Sequence, residues 1–375
     1  EYRALLSERP EEIAYGYQYA RFLADEGRID EVEPVLRNII EQDPENYQAR
    51  LALTQFVANI RGAEAAEVML REFVDESPTI YELRVALARL YQATARPDDA
   101  YTEYEYLAEN IPNEDEGLNA KARMAGILLA RGDTEAGELL LEEVLAVETL
   151  NSDALLFSGA VKVDKKDFRG AVSDFRKLLR KEPDNKQAQL LIARAHNAAG
   201  DVVLAKDAYR RVLGMDAMDG SAPLELARIL VQQDDFDDAE DVLRARLQLE
   251  PSDIRASRVL IAVLLSEDFN SEAEVEASRV AQLSGQEAIG EYLLGGVYQA
   301  QGEQEKAINA FKRSLEQVPT AHEPLQGLVA SLVRLDRTDE AVNYLNRISE
   351  EYPDNLYAKT LLGQVLAGTG DAVAA

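Results

Sequence analysis

Residues 288–320 read AIGEYLLGGVYQAQGEQEKAINAFKRSLEQVPT, and their spacing decides the fold. Leu294, Gly295 and Tyr298 recur at three- and four-residue steps, which keeps them on one side of a helix. Ala307 and Phe311 repeat the pattern on a second helix, and Gly302 lies between the two. Glycine ends a helix cheaply because it adopts the left-handed conformation without a Cβ clash. Pro319 then stops the second helix, since proline lacks the N–H and crowds the preceding turn. Small residues at Gly295 and Ala307 let the two helices approach, and Leu294, Tyr298 and Phe311 fill the space between them. One such hairpin cannot bury its own apolar stripe, so the stretch predicts stacked copies.

The copies are there, with a period of 34. Pro10, Pro44, Pro78 and Pro112 are each 34 residues apart. Full repeats are read at 13–46, 47–80, 81–114, 118–151, 152–185, 186–219, 220–253, 254–287, 288–321 and 322–355, between half repeats at 1–12 and 356–375. The whole chain is therefore expected to be one all-α solenoid, 1–375, with no linker. The phase slips by three residues in the stretch from Glu114 to Gly117, where acidic residues and glycine predict a longer turn. The chain starts and stops in half repeats, with no polar cap at Ala375, so the parent protein is expected to carry further repeats on at least one side.

The positions 4, 7, 8, 11, 15, 20, 24 and 32 of Ala288–Thr320 resemble the tetratricopeptide repeat, with Glu291 where that pattern prefers Trp. The turns Asp43-Pro44-Glu45-Asn46, Glu182-Pro183-Asp184-Asn185 and Tyr352-Pro353-Asp354-Asn355 are similar to the bacterial form of the family, and their Asn is placed to cap the next helix. The resemblance implies a right-handed superhelix with first helices on the concave side and second helices outside. It implies a protein-interaction scaffold that binds a peptide, a loop or a helical partner. Bacterial envelope scaffolds for exopolysaccharide export and outer-membrane assembly look like this, as do cytoplasmic adaptors, and the periplasm or envelope is slightly favoured. The alternatives are a substrate-recruiting or regulatory arm of a larger enzyme and a self-assembly module. The family's carboxylate clamp wants Lys and Asn at positions 5 and 9 of one repeat, and no repeat here has both.

Composition narrows the chemistry. The 375 residues are 46% hydrophobic and 29% charged, a globular balance, and 40 Lys and Arg against 69 Asp and Glu leave a net charge of −29. Such a surface does not suit a nucleic-acid backbone, and no apolar run is long enough to span a membrane. The absence of Cys removes thiolate metal sites and nucleophiles. There is no phosphate loop and no dinucleotide-binding glycine pattern, so no cofactor is expected. His196 sits at an inward position and reads as a packed core histidine, while His322 opens a helix and reads as exposed. The run from Asp234 to Asp238 looks like a calcium loop, but the positions that need Gly and Glu hold Ala239 and Ala245, so a solvated turn is expected. No catalytic or metal-ligating set emerges, and the protein is expected not to be an enzyme.

The first helices carry the binding expectation. Their groove-facing positions hold eight Arg and six acids, a balance of +2 within a −29 chain, so the acidity is expected on the outer face and turns. Arg194, Arg228, Arg255 and Arg258, with Gln187 and Asn197, form a candidate basic, amide-rich ladder, and Arg suits carboxylates through its planar fork. Leu129, Leu156, Phe157 and Val163 form a candidate exposed apolar patch ahead of it. The expected partner is an acidic or amphipathic protein segment.

Overall fold

The computed structural model describes residues 13–368; the half repeat at 1–12 and Gly370 lie outside them. Twenty-one helices occupy these residues, and they contain no strand. Their contacts gather into two compact units, 1–188 and 189–375.

In the first unit the helices are α1 (Ile13–Asp25), α2 (Ile29–Gln42), α3 (Tyr47–Arg61), α4 (Ala63–Glu76), α5 (Tyr81–Ala93), α6 (Pro97–Asn110), α7 (Asp115–Arg131), α8 (Thr134–Val147), α9 (Ser152–Asp164) and α10 (Phe168–Lys181). Helix α11 (Lys186–Ala198) follows. The second unit continues with α12 (Val202–Met215), α13 (Ala222–Val231), α14 (Phe236–Leu249), α15 (Ile254–Ser266), α16 (Asn270–Ala281), α17 (Glu287–Ala300), α18 (Gln304–Gln317), α19 (His322–Arg334), α20 (Thr338–Glu351) and α21 (Leu356–Gly368). Within each unit every helix packs on its neighbours, and first helices of consecutive repeats also touch, as α3 touches α5 and α13 touches α15. The first helices thereby present a shared face in each unit.

Starts and stops follow from local chemistry. The Oδ1 atoms of Asn46, Asn151, Asn185 and Asn355 accept from the amides of Ala49, Ala154, Ala188 and Ala358 at 2.9–3.1 Å, and Asp253 does the same for Ala256 at 3.3 Å. Each cap satisfies an amide that has no partner inside its helix. The prolines fall just past the second helices: α2 ends at Gln42 before Pro44, and α18 at Gln317 before Pro319.

The joint is left-handed in nine of the ten full repeats. Gly27, Gly132, Gly200 and Gly302 have φ between +71° and +90°, as the sequence predicts. Ala95, Lys166, Asp234, Asp268 and Asp336 take the same place with φ of +57° to +62°. A non-glycine residue is strained there, Asp less so because its short polar side chain tolerates the conformation. Ala95→Gly should therefore stabilise the protein by ~0.5–1 kcal/mol, and Asp268→Gly by less. Urea midpoints measure both, and equal gains would refute the ranking.

The slip near residue 114 is not the longer turn that its composition suggests. Asp115, Glu116 and Gly117 are helical and extend α7 to 17 residues. Gly117 is required because a Cβ there would overlap the carbonyl of Ile111 at the end of the previous repeat. The acidic first turn, Asp115 and Glu116, suits the positive end of the helix dipole.

In four repeats the core is built on one large ring from the second helix. Phe175 packs on Gly159 of its own first helix, and Phe311 lies between Gly295 and Gly327, with no room for a Cβ at any of these glycines. Tyr104 and Tyr209 hold the same place, and all four rings are fully buried. On the outer side consecutive second helices exchange ion pairs: Lys206 with Asp235 at 2.9 Å, Arg210 with Asp238 at 3.1 Å, Lys312 with Glu340 at 3.0 Å. The acidic run from Asp234 to Asp238 is thus a turn and helix start, and two of its carboxylates bind cations of the preceding repeat.

Candidate functional site

The first-helix face of the first unit contains a groove of about 830 Å³. Helix α3 contributes Leu51 and Gln55, α5 contributes Val85, Ala86 and Arg89, α7 contributes Asn119 and Arg123, and α9 contributes Asp153. The small side chains of Ala86 and Ala120 line it. Its floor is Tyr104, whose hydroxyl donates to Gln92 Oε1 at 2.9 Å. Burial raises the Tyr104 hydroxyl, and the nearby charges of Arg123 and Arg89 pull against that.

The groove is not uniformly basic. Arg123 pairs with Asp153 at 3.0 Å. Lys181 turns to Glu148 at 2.9 Å. Glu182 accepts from Ser152 and Asn185, and these contacts hold its carboxyl below the usual range despite some burial. Four carboxylates, Glu82, Glu116, Asp153 and Glu182, line it beside three cations, Arg89, Arg123 and Lys181. The lining of this groove therefore carries no excess of positive charge. Arg89 is exposed and makes no ion pair with any described residue. It is a spare cation on an otherwise apolar stretch of Val85, Ala86 and Leu90.

The apolar patch expected at Leu129, Leu156, Phe157 and Val163 is corrected by the packing: all four are half-buried. The Phe157 ring lies on Gly126 of the preceding first helix, where a Cβ would come within 2.6 Å of it. Leu129 covers Gly137 on α8, where a Cβ would sit 2.8 Å from Leu129 Cγ. Leu156 packs with Leu155, Leu178 and Ala188. Phe157 thus seals one repeat to the next and Leu129 closes its own helix pair, each over a glycine that leaves a hollow for it.

In the second unit Arg194, Arg228, Arg255 and Arg258 are all exposed, as expected, but they differ in partners. Arg228 lies 3.4 Å from Glu225. Arg255 reaches Asp253 at 3.4 Å and the carbonyl of Gly220 at 3.3 Å. Arg258 stands over the Tyr292 ring, 5.8 Å from its centroid. Arg194 makes no ion pair with any described residue. Asn197 is half-buried on α11. Gln187 is exposed at the start of the same helix, in the first unit, so it is not grouped with the four arginines.

Sequence reasoning missed Tyr209. Its ring is fully buried, its hydroxyl has no hydrogen-bond partner, and burial pushes it up to about 12, with Glu225 adding to the effect and Arg194 and Arg228 opposing it. His196 is buried as expected, with Nδ1 3.6 Å from Asp201 Oδ2. His322 is exposed and stacks on Tyr357 at 4.2 Å between centroids. No group of three or more His, Asp or Glu among the described residues could hold a metal ion. No helix among them is long and apolar enough to cross a membrane.

A family model described as tetratricopeptide repeat matches residues 197–262 and 298–365, and a second model of that description matches 159–223. No curated protein matches the chain. Among solved structures, a tetratricopeptide repeat protein from Parabacteroides merdae ATCC 43184 is similar at 16% identity and TM-score 0.43, over 67% of this chain and 98% of that chain. Yeast Tom70 is similar at 10% identity and TM-score 0.43, over 98% of this chain and 91% of that one. MamA from Desulfovibrio magneticus RS-1 is similar at 19% identity and TM-score 0.40, over 46% of this chain and 96% of that one. Helix pairs at a 34-residue period with left-handed joints accompany these matches, and residues 159–262 and 298–365 of this chain are tetratricopeptide repeats.

Proposed function

We propose that the protein is a non-catalytic scaffold and that the groove of its first unit binds an amphipathic segment of a partner protein. Tetratricopeptide repeats imply protein–protein interaction. The observation that carries the finer reading is the groove of about 830 Å³ on four consecutive first helices, with the unpaired Arg89 standing on its apolar stretch. Apolar side chains of a partner would bury against Val85, Ala86 and Leu51. A carboxylate would meet Arg89, and a cation would meet Glu82 or Glu116. On the resemblance of its turns alone, a bacterial envelope or export assembly is the setting proposed for it.

A photo-crosslinking residue placed at Gln55 should capture a protein from native lysate, and the same residue at exposed Val275 should not capture it. Ala86→Trp fills the groove from a half-buried position beside the core and should reduce capture at Gln55 at least tenfold, with helicity unchanged. Equal capture by the parent and Ala86→Trp proteins would remove the groove as the site.

A further inference from the structure

The outer face of the first unit changes character from one second helix to the next. Three- and four-residue steps keep residues 18, 22, 25 and 29 of each repeat on that face. In α6 they are Asp98, Thr102, Glu105 and Glu109; in α8, Glu135, Leu139, Glu142 and Ala146; in α10, Arg169, Ser173, Arg176 and Arg180. All of them are exposed. Glu105, Glu109 and the three arginines make no ion pair with any described residue. A chain of net charge −29 thus carries a stripe of cations without an acid, two helices away from a stripe of acids without a cation.

Arg169 is also out of place for its own helix. The same position is acidic in every other second helix of this unit, at Asp30, Glu64, Asp98 and Glu135, where a carboxylate suits the positive end of the helix dipole. Helix α10 has no acid in its first turn. A cation there works against the helix that carries it, so local folding does not explain it.

The three helices lie in order. Lys165, just ahead of α10, reaches Glu138 near the start of α8 at 2.5 Å, and Lys181 at the end of α10 reaches Glu148 just past the end of α8 at 2.9 Å. Helices α8 and α10 therefore run side by side in one direction. Arg131, just ahead of α8, pairs in the same way with Asp98 at the start of α6. At about 100° per residue, Leu139 and Ala146 run down the middle of the α8 face, with Ala136 and Val147 on one flank and Glu135 and Glu142 on the other. Leu139 is 58% exposed and Val147 60%.

Half a turn about an axis through α8 maps this order onto its complement. Helix α8 meets α8 of a second copy, α10 meets α6, and α6 meets α10, so that cations face acids twice across an apolar strip. Such a contact is isologous and closes at two copies. A membrane surface or a nucleic acid is anionic throughout and would meet the acids of α6 and α8 together with the arginines, whereas a second copy presents both signs in matching order.

We propose that the outer face of α6, α8 and α10 is a homodimer contact, in which Arg169, Arg176 and Arg180 of each copy meet Glu105 and Glu109 of the other on either side of Leu139 and Val147. The contact uses second helices and the groove uses first helices, so this inference does not rest on that reading. A dimer joined in this way keeps a groove open on each copy and would hold two partner segments at once, with the gain in avidity that linkage brings.

Sedimentation equilibrium of the full chain at physiological salt, where exposed charges more than ~8 Å apart are screened, should show a dimer. Two variants each reverse one stripe: Arg176→Glu with Arg180→Glu, and Glu105→Arg with Glu109→Arg. Each alone should weaken dimerisation at least tenfold, because like charges then face each other. Mixed in equal amounts they should recover it, because the acidic α10 of one faces the basic α6 of the other and the two unaltered stripes also match. Arg210→Glu with Arg244→Glu, at exposed positions of α12 and α14, changes net charge as much as the α10 variant does and should leave the dimer intact. Circular dichroism like that of the parent shows that each variant is folded. A parent protein that stays monomeric, stripe variants that dimerise like the parent, or a mixture that stays monomeric would each overturn the proposal. Binding of a monomeric parent to phosphatidylserine vesicles, lost in the α10 variant, would also overturn it and assign the arginines to a membrane surface. Ala86→Trp should dimerise like the parent, so failure of the groove reading leaves this one standing.

Discussion

Arg246→Met should cost the second unit ~3–5 kcal/mol at neutral pH, because it strands a buried carboxylate. Arg246 and Asp253 are both buried, with Nε 2.9 Å from Oδ2, and Arg246 also donates to the carbonyl of Met218 at 3.0 Å. Burial pushes the Asp253 carboxyl up, but the bonds from Arg246, the Ala256 amide and Arg255 outweigh it and hold it below the usual range. A carboxyl depressed in the folded state contributes stability above its unfolded value, near ~4, and loses it as pH falls through the folded value. The difference between parent and Arg246→Met proteins should therefore be widest near neutrality and narrow below about pH 4. Urea unfolding at several pH values measures it. The double variant Arg246→Met with Asp253→Asn should recover most of the loss, since Asn already caps the corresponding helix at Asn46, Asn151, Asn185 and Asn355. A double variant no more stable than the single one would show that the pair is not what the arginine supports.

Phe311→Ala should cost ~3–5 kcal/mol, the range for emptying a well-packed aromatic site. The ring touches Gly295 of its own repeat and Gly327 of the next, so the cavity opens toward both. Repeats couple mainly to their neighbours, so hydrogen exchange should accelerate across 288–355 and leave 13–188 unchanged. Gly295→Ala should cost ~1–3 kcal/mol by overpacking in the parent protein and close to nothing in the Phe311→Ala background, where its obstacle is gone. Additive costs would show that the ring and the glycine do not share the space. The larger overpacking of Gly295→Leu should likewise stay local, and uniform loosening from Ile13 to Asn355 would contradict that.

The helix pairs were legible because glycine, alanine and proline recur where geometry leaves few choices. Gly302 and Pro319 announce a joint and a stop to anyone counting residues. Ala95 and Lys166 hide the same joint, since neither favours a positive φ and only the period marks them. The stretch at Glu114 was misread because turn composition and an acidic helix start look alike, and the deciding contact, Gly117 against Ile111, is between helices. The apolar patch failed for a related reason. Phe157 and Leu129 sit at positions that face the groove in projection, but Gly126 and Gly137 open hollows for them that no helical wheel displays. Arg89, Arg123 and Arg194 were found by position alone. The groove around the first two is lined by small neighbours, Ala86 and Ala120, whose meaning emerges only when four helices are seen together. Tyr209 read as core filler, and nothing in its spacing sets it apart from Tyr104, whose hydroxyl finds Gln92.

The capping residues have a consequence for how such a chain can lengthen or shorten. Asn46, Asn151, Asn185, Asp253 and Asn355 are each the last residue of one repeat, yet each bonds to the first helix of the next. The structural punctuation is thus donated from behind. Excising 254–287 in one piece would bring Asp253 directly before Ala288, in the place of Glu287 at the start of the following first helix, and the orphan amides would inherit a carboxylate. Cutting one or two residues out of phase would present Pro251 or Ser252 at that seam, and the helix would open on a proline or a weaker acceptor at the wrong step. Duplication and loss in whole 34-residue steps need no repair at the junction, which lets repeat number drift while each surviving helix keeps its start.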